Sequence, residues 1–105
     1  MDNGFPGAYA GFALLEGCTG NQLMRNVASS NGADGFVLDG SNGNTVRENA
    51  GYTNGSIGFW ARNGASHNVF ERNAGRGNGY FDAVDDQSGE ANLWVHNKFG
   101  TTAGI

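Results

Sequence analysis

Apolar and polar residues alternate over short stretches of this chain, and the stretches return in register. Gly11-Phe12-Ala13-Leu14-Leu15-Glu16, Gly35-Phe36-Val37-Leu38-Asp39 and Gly58-Phe59-Trp60-Ala61-Arg62 share a Gly-Phe opening. Period-two alternation predicts a strand with one face turned inward. Between these strands lie Asn-x-x-x-x-Asn frames at Asn21 to Asn26, Asn44 to Asn49, Asn68 to Asn73 and Asn92 to Asn97, separated by steps of 23, 24 and 24 residues. A fixed period of that length marks a solenoid, in which each repeat must stack on its neighbours to bury its apolar side. The reading is an all-β parallel β-helix of about four coils. Helical spacing is absent, and so many glycines oppose a helical solenoid.

Stacking turns equivalent positions into columns. Leu23, Val46, Phe70 and Trp94 form one inward apolar column, and Phe12, Phe36 and Phe59 another. Three asparagine columns, Asn21/Asn44/Asn68/Asn92, Asn26/Asn49/Asn73/Asn97 and Asn31/Asn54/Asn78, are expected at the bends. There asparagine tolerates left-handed backbone, and its amide can serve turn groups or the next asparagine along the stack. Two outer columns, Arg25/Glu48/Arg72/His96 and Met24/Arg47/Glu71/Val95, place opposite charges on neighbouring rungs and so favour the correct register.

Composition alone points elsewhere. With 19 glycines, and only 20 of 105 residues drawn from Leu, Ile, Val and Phe, the chain sits at the border where disorder is the default. The register of its apolar positions and a net charge of only -4 argue for a folded repeat instead. One domain is expected, with residues 1–10 as an N-terminal cap or partial coil and residues 11–105 as repeats. The single cysteine, Cys18, excludes an internal disulfide and a cysteine-based zinc cluster. No apolar run is long enough for a membrane span, and the N-terminus lacks the pattern of a signal peptide. The acidic balance without a basic run argues against nucleic acid as a partner.

The bends, the period and the Gly-Phe openings resemble the right-handed parallel β-helix repeats of the pectin lyase-like superfamily over residues 4–105. The stretch from Ala91 to Ile105 is similar to the C-terminal coil of such proteins. The resemblance implies an extracytoplasmic setting and a superfamily holding lyases, polygalacturonases, uronate epimerases and members without known activity, so the fold does not carry a function. Of the polygalacturonase-like motifs (Asn-Thr-Asp, Asp-Asp, Gly-His-Gly, Arg-Ile-Lys) only Asp85-Asp86 matches. Lyases of this shape use calcium, for which Asp82, Asp85, Asp86 and Glu90 could supply oxygen ligands. No Lys or Arg stands out as the proton-abstracting base, and the plain reading of these acids is a solvated turn. No catalytic residue is assigned, and an activity, were there one, would be that of a polysaccharide lyase or uronate epimerase.

One surface carries a sharper expectation. With Phe12, Phe36 and Phe59 inward, Ala13, Val37 and Trp60 face outward, and Asp39 and Arg62 follow two positions on. Trp60 beside Arg62, Asp39 and Asp82 offers a flat ring and charged groups, as stacking on a sugar and pairing with a uronate carboxylate require. The register of the last coil leaves either Phe81 or Ala83 for the inward column. Open solenoid ends favour self-association through an end or a flat face. Two functions are therefore expected: a non-catalytic structural or assembly module, or a carbohydrate-directed module acting on acidic polysaccharide.

Overall fold

The computed structural model describes residues 11–30 and 32–105. The cap expected over residues 1–10, and Asn31 of the third asparagine column, lie outside the described residues. The first coil holds β1 (Phe12–Leu14), β2 (Gln22–Met24) and β3 (Val27–Ser29), and the second β4 (Phe36–Asp39), β5 (Thr45–Arg47) and β6 (Ala50–Tyr52). The third holds β7 (Ile57–Arg62), β8 (Val69–Glu71) and β9 (Ala74–Arg76), and the fourth β10 (Phe81–Asp85), β11 (Leu93–Val95) and β12 (Lys98–Phe99). Strand β13 (Thr102–Ala103) lies on β10 as the start of a fifth turn. Every pairing is parallel and joins one coil to the next, giving three sheets in the orders β1-β4-β7-β10-β13, β2-β5-β8-β11 and β3-β6-β9-β12.

The columns expected from the period are those observed. Phe12, Phe36 and Phe59 are register partners whose rings stack at 5.0 and 4.7 Å, within the spacing at which aromatic pairs attract. Leu23, Val46, Phe70 and Trp94 form the facing column, where the Phe70 and Trp94 rings stack at 3.8 Å. In the fourth coil Ala83, not Phe81, continues the phenylalanine column.

Asparagine side chains occupy the corners between these apolar columns. Asn68 shows the pattern: its Oδ1 accepts the backbone N–H of Asn44 at 2.8 Å and the Asn44 amide Nδ2–H at 3.1 Å. Its own Nδ2 donates to the Ser41 carbonyl at 2.8 Å and to Asn92 Oδ1 at 3.0 Å. Asn73 repeats this between Asn49, Val46 and Asn97, and Asn54 donates to Asn78 and Ala28 in the third column. Asn44, Asn49, Asn68 and Asn73 are all at most 2% exposed. Buried amides are tolerable only when fully bonded, which these are.

The left-handed backbone falls one residue earlier than the sequence suggests. It is the residue before the described column asparagines, Asn92 excepted, that takes positive φ: Arg25, Glu48, Arg72 and His96 at 54–56°, Gly20, Gly43 and His67 at 56–68°, and Thr53 and Gly77 at 56° and 68°. Such φ values cost non-glycine residues of order 1 kcal/mol or more each and persist only where the surroundings over-determine them. Here the asparagine that follows is fixed by the neighbouring coils, from both sides at Asn44, Asn49, Asn68 and Asn73. The Gly-Phe opening has the same origin. A Cβ on Gly35 would lie 2.8 Å from Asn54 Nδ2 and 2.6 Å from the Gly58 carbonyl oxygen, and one on Gly58 would lie 2.6 Å from Asn78 Nδ2.

Two of the ladders end on aspartates. Asp82 Oδ1 accepts from the amide and backbone N–H of Asn78, at 2.8 and 3.4 Å, and its Oδ2 accepts from the N–H groups of Gly100 and Thr101 at 2.9 and 3.0 Å. Asp85 Oδ2 accepts from Asn92 Nδ2 and from the Trp94 indole at 3.1 and 3.0 Å. A carboxylate can close a ladder because both its oxygens accept, whereas an amide must pass a donor onward.

Asn68→Ala strands a buried N–H and a buried carbonyl, and is expected to lower urea-unfolding stability by roughly 2–4 kcal/mol. Asp82→Asn sets an amide donor against existing donors in either orientation, so it is expected to cost roughly 2 kcal/mol and to act on the last coil. A change below about 0.5 kcal/mol in both would refute the ladder's role.

Candidate functional site

The first sheet turns Ala13, Val37, Trp60, Val84 and Ala103 outward in one column, with Asp39 and Arg62 paired beside it. Trp60 is half-buried, and Val37, expected on the surface, is only 2% exposed. The Arg62 guanidinium carbon lies 4.5 Å from the centre of the Trp60 ring, a cation–π contact that covers one face of the indole. Arg62 Nε donates to Asp39 Oδ2 at 2.9 Å. The indole Nε1 is buried and has no hydrogen-bond partner. Trp60 therefore offers a ligand apolar ring surface and no donor.

Asp82 does not stand beside Trp60, contrary to expectation. The register places Val84 opposite Trp60, and Asp82 is 3% exposed with its oxygens occupied by the third ladder. The carboxylate that the sequence reading did not assign to this surface is Asp86. Its Oδ2 accepts from the Asn63 N–H at 3.0 Å, while Asn63 Nδ2 donates to Asp39 Oδ1 at 3.0 Å. Asn63 thus ties Asp39 and Asp86 together below Arg62. Once Ala83 takes the inward column, Asp86 falls in line with Arg62.

The proposed calcium set does not assemble either. Asp82 and Asp85 close separate ladders, Asp86 is held by Asn63 and by Ser88, and Glu90 points to His67 with Oε2 3.2 Å from Nε2. Among the described residues no three His, Cys, Asp or Glu side chains stand close enough to share a metal ion.

Three carboxyls are held below the usual carboxylate range. For Asp39 the largest cause is the hydrogen bond from Asn63, with Arg62 adding to it against the cost of burial. For Asp82 burial pushes upward, and the donors from Asn78, Thr101 and Gly100 outweigh it. For Asp86 burial again pushes upward and is overcome by Ser88, Asn63 and the Arg62 charge.

The family described as NosD, periplasmic copper-binding protein, matches residues 1–103, and the chain belongs to it. No curated protein and no solved structure matches the chain. Copper is best held by thiolate, thioether and imidazole ligands. The described donors of those kinds are dispersed: Cys18 and Met24 lie in the first coil, His67 faces Glu90, and His96 occupies a bend of the fourth coil. These residues do not form a copper site. Among the described residues no helix is long and apolar enough to cross a membrane.

Because the folded pKa values of Asp39, Asp82 and Asp86 are depressed, their contribution to stability is complete above the unfolded value of about 3.9 and is lost as pH falls through the folded values. Melting temperature is expected to be flat from neutral pH to about pH 5 and then to fall steeply below about pH 4. Asp82→Asn should flatten that fall. A melting temperature that rises on acidification would contradict it.

Proposed function

We propose that this NosD-family β-helix acts as a non-catalytic module that joins copies of itself through the face of its last described coil. The observation that supports this reading is the C-terminal face. There β11, β12 and β13 each have a strand neighbour on one side only among the described strands, and carry unpaired ladder edges of the kind that recruit another strand. A recess of about 470 Å³ on that face is lined by Trp94, Leu93, Asn92 and Ile105. Leu93 and Ile105 are 54% and 52% exposed, and Trp94 completes the apolar column that a further coil would cover. The family's description places its members in the periplasm, and we read the same compartment for this chain.

A second reading has its own observation. Trp60, Arg62 and Asp39 do lie together, joined by Asp86, and the uncovered part of the Trp60 ring is of the kind on which a sugar stacks. Under this reading the chain binds acidic polysaccharide on its first sheet.

Sedimentation equilibrium over a rising concentration series tests the first reading. The mass is expected to climb above the 11.0 kDa of one chain, and Leu93→Lys is expected to hold it there. One chain's mass throughout would refute end-to-end assembly. Tryptophan fluorescence titrated with oligouronides tests the second: saturable quenching lost in Trp60→Ala supports a sugar face, and an unchanged signal removes it.

A further inference from the structure

The basic side chains of this protein divide by partner. Arg25, Arg47, Arg62 and His67 each face a carboxylate one coil away at 2.9–3.4 Å. Arg72, Arg76, His96 and Lys98 have no carboxylate within ion-pair distance among the described residues, and all four are exposed. The fold gathers these four into one corner. Arg72 and His96 occupy the bends that lead into β9 and β12, and Arg76 and Lys98 belong to those two strands. In a chain of net charge -4 this is the one part of the third sheet where positive charge stands uncompensated.

The corner also has a shape. Tyr52, Arg76, Asn97, Lys98, Phe99 and Gly100 border a groove of about 530 Å³. Lys98 is the register partner of Ala74, so Arg76 lies diagonally across from it, at a spacing of about 8 Å on adjacent strands. The Arg76 guanidinium carbon is held 4.9 Å from the centre of the Tyr52 ring, which fixes one of the two cations in place. The outward positions of β3, β6, β9 and β12 are Val27, Ser29, Ala50, Tyr52, Ala74, Arg76 and Lys98, with no carboxylate among them. Asp82 lies under the Gly100 rim with its oxygens taken by Asn78, Gly100 and Thr101 and makes no ion pair with Arg76 or Lys98, while Glu48 pairs with Arg25 and Glu71 with Arg47.

We propose that this groove binds a small multivalent oxyanion, with Arg76 and Lys98 as its two ligating cations and Arg72 and His96 supplying additional positive field. Two like charges on adjacent strands repel until an anion lies between them, and charge-assisted hydrogen bonds to guanidinium and ammonium groups are the stronger kind. The site is too small in charge to hold a nucleic acid on a net acidic protein. The proposal does not rest on the assembly reading, although the Asn97 to Gly100 rim of the groove belongs to the last coil, whose β12 edge that reading also uses.

Two-dimensional amide NMR at low salt, titrated separately with inorganic pyrophosphate and with citrate, tests it. Saturable shifts are expected in Tyr52, Gly75, Arg76 and the Asn97 to Gly100 segment. The double variant Arg76→Gln/Lys98→Gln is expected to bind about tenfold more weakly. Arg25→Gln, which removes one positive charge from the far end of the stack, is expected to leave binding unchanged, and the spectra themselves report whether each variant folds. Saturation by one anion alone assigns the ligand to phosphates or to carboxylates. Absence of saturable shifts with both anions, or equal weakening in Arg25→Gln, would overturn the proposal.

Discussion

The structure depends on one kind of hydrogen bond: a buried asparagine amide that accepts from the asparagine of the coil before it and donates to a carbonyl of that same coil. Each such residue ties two coils at the corner where the chain changes sheet, as Asn68 ties Asn44 and Ser41 while bonding onward to Asn92. A chain with so little aliphatic bulk would fall short on burial alone. The amide columns add fully satisfied polar contacts inside the stack and make the spacing between coils a matter of bond length. Backbone strain at Glu48 and Arg72 is tolerated because the following asparagine is held from both sides, and at Arg25 and His96 it is held from one.

The same constraint orders the charges. Residues one coil apart lie side by side, so an arginine and a glutamate 23 or 24 positions apart become neighbours, as in Arg25–Glu48 and Arg47–Glu71. These exposed pairs add little stability and favour one register over its neighbours. Where the alternation stops, charge is left over. Toward the last two coils the bends and the third sheet carry Arg72, Arg76, His96 and Lys98, and the positive corner forms there.

The fold was legible because its signals are periodic. Gly-Phe openings mark the same point of the first three coils and paired asparagines that of all four, and Phe36 stacks on Phe59 as their spacing implies. What the sequence hid lies where the Gly-Phe opening is missing. Asn78 to Ala83 is as long as Asn54 to Phe59, but an alanine stands where the earlier coils have phenylalanine, and the register there moves Asp82 from the Trp60 surface into a ladder while bringing Asp86 toward Arg62. The basic corner was hidden for a different reason: its members are spread from position 72 to position 98, no two are adjacent, and only stacking gathers them.

Membership of the NosD family fixes the architecture more firmly than the chemistry, because the described copper-donor side chains stand apart while the residues that repeat are those that hold the coils together. The claim that buried asparagines govern the stack is tested most directly by amide hydrogen exchange resolved residue by residue. The backbone N–H groups of Asn44, Asn49, Asn68 and Asn73, each bonded to a side-chain oxygen of the next coil, are predicted to exchange among the slowest in the protein, at rates set by global unfolding. Exchange at those four positions as fast as in the exposed turn around Gln87 would contradict the account.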